Sequence, residues 1–572
     1  MKLERVIVKN FRNLADLDLR LLPGSVIVGE NRTGKSNLIE ALRLVFDPTL
    51  SFNDRQLAAD DFWMSEADLL RQKDPMAEGE VIEVSAEIVE FEDDQRLVAA
   101  LGHALLQEEP MRARLTYRYA PVDTADGDEG VTYRARIYGG TNFDAPIPSD
   151  WRDYLYSIFL HALRDVEGDI LAWRRSPLRS LLLGASAALA EHDLSDVQEA
   201  MKAANDRLNG LDVIRQLSDG INTRLVDMVG AAQAPETELA AAPDDPLRLI
   251  RGMRLYVDGE AHRNLGSASL GTLNVLYLTL LELGLATRMQ DSEIAHVVMA
   301  IEEPEAHLHP HLQRLIFRRL LREDTNSRTT LVTTHSPHIA SVADPRSLVV
   351  LRTTEGGTSA AAAHAADLAD AEWKDIERYL DATRSEIVFA RRALLVEGYA
   401  EQVLIPVLAD SLGLDLDKAG ISVCVINGTH FSSYARFCAA LQIPWAIVTD
   451  GDPDPNGVPV GERRGADLQA ALGQTGPLPE SGIFVGTQTF EYDLAVACEG
   501  NTATCLSVLR SLCAAPSQAA IDQWAGQIPA AATYISMINN AGGKGRFAQR
   551  LSAVKLTAPA YIGSALRHLA GQ

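Results

Sequence analysis

The chain has 572 residues, 47% of them apolar and 23% charged. That composition excludes fibrous and disordered classes, and the length exceeds what one hydrophobic core normally spans, so two or three domains are expected. A formal net charge of −25 repels nucleic acid at long range, so any such partner must be held by local basic patches or bound divalent cations.

From the amino end, MKLERVIVKNFRN lacks the apolar stretch of a secretory signal, and a cytoplasmic protein is expected. The five cysteines, Cys424, Cys438, Cys498, Cys505 and Cys513, make no CxxC pair and fit reduced thiols there. Leu3 to Val8 alternates as a strand. Ser25 to Val28 reads as a second strand feeding Gly29-Glu30-Asn31-Arg32-Thr33-Gly34-Lys35-Ser36, and Leu38, Ile39, Leu42 and Val45 predict a helix over Lys35 to Phe46. Strand, loop and helix in that order make a nucleotide phosphate-binding loop. Its glycines, Gly34 among them, and neighbours such as Asn31 turn backbone amides around the phosphates, Lys35 supplies a cation and Ser36 a hydroxyl for magnesium, so ATP is the expected cofactor.

Val81 to Phe91, Ala113 to Tyr119 and Val131 to Tyr138 read as β-rich excursions. From Trp151 to about Ala242 the periodicity turns helical, as in an insertion or arm. Leu270 to Ala286 is interrupted by Asn274, Thr279 and Glu282; it is read as a buried helix, with no membrane partner. Ser269-Leu270-Gly271 opens that helix and offers an anion grip at its start. Strand signals resume at Met253 to Val257, Val297 to Ile301 and Thr330 to Thr334, so the nucleotide-binding core is split in sequence. In VVMAIEEPEAHLHPHLQ the strand ends in Glu302, a candidate for the magnesium shell, and Glu303, the candidate general base. His335, at the next strand end, is placed to meet the γ-phosphate. His307, His309 and His311 alternate around Pro310 without a cysteine and are read as turn and helix-start residues rather than a zinc site. Residues 353–372, small and polar, are expected to connect two domains, with a boundary near 375.

Beyond it, Arg392 to Val396 is a short apolar strand ending in Glu397-Gly398, and a following helix puts Glu401 one turn from Glu397. Trp445 to Thr449 is another, ending in Asp450-Gly451-Asp452. Glu491, with Asp493 as the alternative, and Lys544 in a glycine-rich turn before a helix complete the group, while Asp454 reads as a turn residue. Arg546 and Arg550 are candidates to track a nucleic-acid backbone. Hard oxygen ligands of this kind suit Mg²⁺ or Mn²⁺, and two such ions held by shared carboxylates point to phosphodiester cleavage, with Lys544 balancing charge.

KNFRN at 9–13, the phosphate loop, the Ser-x-Gly segment and the Glu302-Glu303 pair together resemble ABC ATPases of the SMC, RecF and Rad50 type. The resemblance implies that Ser269 and Gly271 complete the γ-phosphate site of an opposite subunit, and hence a homodimer or higher oligomer. Glu302 departs from the Asp usual there but keeps a carboxylate. Gln56 and Asp61 both stand as candidates for the glutamine-containing loop. The C-terminal acids resemble a Toprim domain. DATRSEIVFARRALLVEGYAEQVLIPVLA, VINGTHFSSY, VTDGD, GTQTFEYDL and GGKGRFAQRL, with GENRTGKSN, ALRDVEGDILAWRRSPL, IEEPEAHLHPHLQ and TTHSPHIASV upstream, resemble the OLD (overcoming lysogenization defect) family of ATP-dependent nucleases over nearly the whole chain. By the middle and IEEPEAHLHPHLQ segments the chain is most similar to the class whose members resemble the nuclease subunit of Gabija antiphage systems and accompany a UvrD-like helicase.

This resemblance implies an α/β architecture. An ABC-type ATPase domain (1–150 and 246–375) would carry a helical, dimerising insertion (151–245), and a Rossmann-like Toprim domain (376–572) would follow. It also implies two metals on Glu397, Glu401, Asp450, Asp452 and Glu491, catalytic help from Lys544, and a DNA endonuclease, nicking or cutting, regulated by ATP in phage defence or DNA processing. The alternative is a RecF- or SMC-like DNA-binding ATPase without nuclease activity. A topoisomerase would need a tyrosine nucleophile on a further domain, and no stretch is left to supply one.

Overall fold

The computed structural model describes residues 1–571 apart from 123–130, 144–146, 148–150, 163–164, 172–175, 230–234, 236–245, 252, 258–262, 291–293, 324–326, 455–457 and 459. It falls into two compact units, one made of 1–162, 295–305 and 309–572 and the other of 163–294 and 306–308.

Among the described residues, the first unit contains three sheets. Lys2–Phe11, Leu14–Arg20, Ile82–Val89, Leu105–Glu108, Met111–Val122 and Thr132–Gly139 form an antiparallel sheet. One face packs against the helix Lys35–Phe46 through Val6, Val8, Val84, Leu115, Leu42 and Val45, all buried. The second sheet runs, in spatial order, Gly357–Ala362, Leu348–Thr354, Ser25–Gly29, Arg328–Thr334, His296–Glu302 and Leu155–Leu160, parallel except for its first strand. Its central strands are buried along their length except at Gly29, as expected of parallel strands covered on both faces. The third sheet, Ile421–Val425, Arg392–Val396, Trp445–Thr449 and Ile483–Val485, is wholly parallel. Helices Tyr399–Ser411, Lys544–Leu551 and Ala560–Ala570 contribute Leu404, Leu408, Phe547, Ile562 and Leu566 to its core.

Three elements differ from the periodicity reading. Leu155–Leu160, inside the stretch expected to be helical from Trp151, is the edge strand beside His296–Glu302; LYSIFL is short and apolar, a pattern that fits either structure. Gly357–Ala362, inside the expected connecting segment, pairs antiparallel with Leu348–Thr354, and it is this partner rather than its own small residues that imposes the strand. Of the strand expected over Met253 to Val257, only Tyr256–Val257 forms, paired with Arg263–Asn264.

The second unit is mainly helical, with Pro177–Ala187, Glu191–Asn209, Asp212–Val229 and Leu270–Gln290. The last has 21 residues and is long and apolar enough to cross a membrane by length and composition, longer than the run read from sequence. It buries Leu273, Tyr277, Leu278, Leu281 and Leu285 within the protein.

Candidate active site

Parallel strands bring their carboxyl ends to one edge, which is where open α/β sheets bind ligands. In the second sheet Thr334 lies beside Val28 and Glu302 beside Thr333, so the phosphate loop, His335 and the Glu302-Glu303 pair emerge side by side. Gly34 has φ +93°, and a Cβ there would lie 2.7 Å from the Asn13 amide, so the turn into the helix needs glycine. Asn13 in turn donates to the Arg32 carbonyl at 3.2 Å and accepts from Asn37 at 2.7 Å, which ties the FRN segment to the loop. The Lys35 ammonium, buried at 5% exposure, donates to the Gly29 and Glu30 carbonyls at 3.0 Å each. Burial lowers its pKa against the pull of Glu303, Glu305 and Glu302.

Glu302 is 8% exposed. Burial would push its carboxyl up, but the His161 ring 3.2 Å away and the Ser36 hydroxyl hold it below the ordinary range. Its Oε1 is buried with no hydrogen-bond partner. A buried carboxylate with a vacant oxygen beside the loop hydroxyl fits a magnesium ion of a bound nucleotide. Glu303 sits at φ +40°, and its Oε1 is 3.4 Å from His335 Nε2. The residue that fixes this corner, unread in the sequence, is Glu305, which accepts from the His335 amide at 2.7 Å and the Thr334 hydroxyl at 2.8 Å. Asp61 accepts from Arg12 at 2.9 Å and Gln56 from the Ala135 amide at 3.3 Å; both serve the antiparallel sheet in this structure. Ser269 and Gly271 lie in the second unit. There Ser269 Oγ caps the Thr272 amide at 3.2 Å, and a Cβ on Gly271 would meet the His307 carbonyl oxygen at 2.5 Å.

His309 and His311 stack at 5.3 Å. Arg314 donates to His311 Nδ1 at 2.7 Å and to His338 Nδ1 at 3.1 Å. A guanidinium in that position opposes a cation site.

In the third sheet the neighbouring strands Arg392–Val396 and Trp445–Thr449 end in Glu397 and Asp450. A Cβ on Gly451 would lie 2.4 Å from the Gly486 carbonyl oxygen, so only glycine lets this strand end approach the next, and Asp452 follows at φ +40°. Ligand atoms of Glu397, Asp450 and Asp452 all lie within 4.8 Å of one another, a group able to hold a metal ion. Glu401, on the following helix, is 6% exposed. Burial, and next the charges of Glu491 and Glu397, push its pKa to about 8. Burial and the same carboxylates push Asp450 to about 9, although its Oδ1 accepts the Phe490 amide at 2.9 Å. Carboxyls packed this tightly gain from a divalent cation, which removes their mutual repulsion.

Glu491, 2% exposed, meets the Lys544 ammonium at 2.8 Å. Burial opposes the Lys544 charge, and Glu491, Asp450 and Glu401 more than restore it, so its pKa is raised. Asp493, the alternative to Glu491, is committed elsewhere and accepts the Thr487 amide at 2.7 Å. Asp454 accepts the Val458 amide at 2.8 Å, as a turn residue does. Arg546 and Arg550 are exposed on the helix that Lys544 starts. Arg464 was not read from sequence. It donates to Glu397 at 3.0 Å and Thr449 Oγ1 at 2.9 Å through Nη1 and to Asp452 at 3.2 Å through Nη2. Its place in GERRGADL, soon after the acidic turn, was the available signal.

Comparison with known proteins bears on these two sites. Residues 388–452 match the model of the overcoming lysogenization defect protein-like TOPRIM domain. Residues 157–341 match an AAA domain described as a putative AbiEii toxin of a type IV toxin–antitoxin system, and residues 1–119 match an AAA ATPase domain. The chain is 26% identical to the OLD nuclease of Thermus scotoductus, covering 79% of this chain and 82% of that protein. It is 22% identical to Endonuclease GajA of Bacillus cereus, covering 79% and 75%. Among solved structures, the C-terminal region of the Burkholderia pseudomallei OLD protein is 32% identical over 32% of this chain and 98% of that one, with a TM-score of 0.30.

Proposed function

The chain belongs to the overcoming lysogenization defect family, and from that membership we propose that it is a metal-dependent DNA endonuclease, nicking or cutting, whose activity is set by its ABC-type ATPase module. The observation that carries the reading is the convergence of Glu397, Asp450 and Asp452 within 4.8 Å, with the buried Glu401 and Glu491 and the Lys544 ammonium beside them.

Glu397, Glu401, Asp450, Asp452 and Glu491 are assigned to hold Mg²⁺ or Mn²⁺, two ions in all. When bound, such ions activate water and neutralise the phosphodiester. The chain's own groups do the rest. Asp450 is aimed by the Phe490 amide and Glu397 by the Asp450 amide at 2.9 Å, so the two acids are mutually fixed before any cation arrives. Lys544, anchored on Glu491 and 41% exposed, presents a positive charge at the mouth of the site, where an oxyanion forms during cleavage. Arg464 links Glu397 to Asp452 and counters their repulsion.

At the ATP site, Lys35, Gly34, Asn31 and Ser36 are assigned to the phosphates and their magnesium, Glu302 to that ion's shell, Glu303 to the attacking water and His335 to the γ-phosphate. A homodimer, with Ser269 and Gly271 acting across subunits, belongs to the same proposal. Val213, Leu217, Ile221 and Met228, exposed along one side of the helix Asp212–Val229, support the insertion as its contact. Phage defence or DNA processing is the proposed setting, with a UvrD-like helicase as partner.

Supercoiled plasmid incubated with Mg²⁺, Mn²⁺ or Ca²⁺, with and without ATP, tests the reading: open-circular or linear product is expected with Mg²⁺ or Mn²⁺ and none in EDTA. A protein that binds DNA and ATP but leaves the plasmid intact with every metal is the RecF-like alternative.

A further inference from the structure

The loop that grips nucleotide and the strand that ends in Glu397 touch through one ion pair. Glu30, the second residue of the phosphate loop, faces Arg391, the residue before the strand Arg392–Val396. Arg391 Nη2 donates to Glu30 Oε2 at 2.7 Å, and its Nε meets Oε1, so the pair is bidentate. Arg352, on the strand beside Ser25–Gly29, reaches the Ala390 carbonyl at 3.3 Å. Between these contacts lies a cavity of about 580 Å³, bordered by Gly29, Thr33 and His335 on one side and by Arg392, Gln442 and Pro444 on the other. Arg392 and Pro444 stand at the amino ends of the two strands whose carboxyl ends carry Glu397 and Asp450, and those ends are tied by Ala393 N to Pro444 O at 2.9 Å.

From this geometry we infer that Arg391 is a positioning residue, the one through which occupancy of the phosphate loop reaches the carboxylate site. The inference deepens the nuclease reading and rests on it. A bound nucleoside triphosphate puts several negative charges into the loop that holds Glu30, and the strengthened negative field draws the Arg391 guanidinium. Arg391 is continuous with a five-residue strand, roughly 16 Å of stiff, buried backbone, so movement at its start is felt at Glu397. The pair is half-exposed, 58% for Arg391 and 51% for Glu30. Its effect is therefore modest, about two- to five-fold in cleavage rate or metal affinity, and weakened by salt.

The test measures plasmid cleavage by the full-length protein with and without a non-hydrolysable ATP analogue. In parallel, hydrogen exchange is followed in Arg392–Val396 and Trp445–Thr449. In the wild type the analogue is expected to change both. Arg391→Ala is expected to bind the analogue and to cut in its absence within about two-fold of wild type, with the nucleotide response reduced to nearly none. Arg391→Lys, which cannot make the bidentate contact, should keep part of the response. The charge exchange Glu30→Arg with Arg391→Glu should restore what Arg391→Glu alone loses. A full nucleotide response in Arg391→Ala, by cutting and by exchange, overturns the inference. So does a wild type in which the analogue changes neither. If the wild type cuts nothing with any metal, the nuclease reading fails, and the exchange data alone then decide whether Arg391 couples the two sites.

Discussion

Saturating the carboxylate site with a divalent cation is expected to release protons, and the structure sets how many. Glu401 and Asp450 have their pKa values raised from 4.5 and 3.8 to about 8 and about 9 by burial among like charges. With both carboxyls raised above pH 7, the metal-free protein is expected to hold on the order of one to two protons on this coupled pair at pH 7. These must leave when the oxygens become ligands. The number released is expected to fall as pH rises through 8 and 9. Titration calorimetry with Mn²⁺ in buffers of different ionisation heat reads this number directly, and apparent affinity should climb with pH between 6 and 8.

The sign for stability follows. An acid whose folded pKa lies above its unfolded value keeps its proton longer in the fold. Between about pH 5 and 8 the metal-free folded state thus holds up to two protons that the unfolded chain has lost. Stability without metal then falls as pH rises, by up to about 2.7 kcal/mol per unit, and added cation removes the slope. Asp450→Asn should halve both the proton count and the slope. Binding that releases no proton at pH 7, or metal-free stability that rises from pH 6 to 8, would refute the reasoning.

Lys544→Ala is expected to lower cleavage by about 10²- to 10³-fold, because it removes a cation poised for transition-state charge, while ATP affinity measured by equilibrium binding stays unchanged. Glu303→Gln should retain ATP and slow its hydrolysis by about 10²- to 10⁴-fold; unchanged turnover would take the base assignment away from Glu303. Arg464→Ala leaves Glu397 and Asp452 repelling each other. It should lower the melting temperature in EDTA, by an amount corresponding to about 1 kcal/mol for a partly exposed link, and much less with saturating Mg²⁺, since the ion takes over the neutralisation.

Where candidate residues are neighbours in sequence, their placement was readable. Lys35 and Ser36 follow their strand directly, and Glu302 and Glu303 end theirs. Asp450 and Asp452 flank one glycine, so short-range pattern named them and the parallel sheets bring them to common edges. Residues that reach a site from a distance left no such trace. His161 meets Glu302 across 141 positions from the end of a strand mistaken for helix. Arg464 lies 67 positions beyond Glu397, and Arg391 lies 361 beyond Glu30. Such pairs follow from tertiary packing alone, and a charged side chain on an amphipathic helix is by default read as a solvated face. The Gly357–Ala362 strand was missed for a related reason. GTSAAA has almost no β-propensity of its own, and the edge it occupies is dictated by Leu348–Thr354 beside it.

Strand polarity keeps the two candidate sites apart within one unit. Both sites lie at the carboxyl edges of parallel sheets, where loops are free to diverge and helix starts point outward. In the third sheet the opposite, amino edge borders the cavity beneath the phosphate loop, so the nucleotide end and the metal end lie at the two ends of the same strands. A change at one end reaches the other through covalent backbone and a buried ladder rather than through solvent. That arrangement also lightens the objection posed by the net charge of −25. Part of this formal count sits on buried acids whose pKa values are raised, as those of Glu401 and Asp450 are, or which would be matched by cations once metal is bound. A phosphodiester approaching Lys544, Arg546 and Arg550 therefore meets a field less negative than the whole-chain sum.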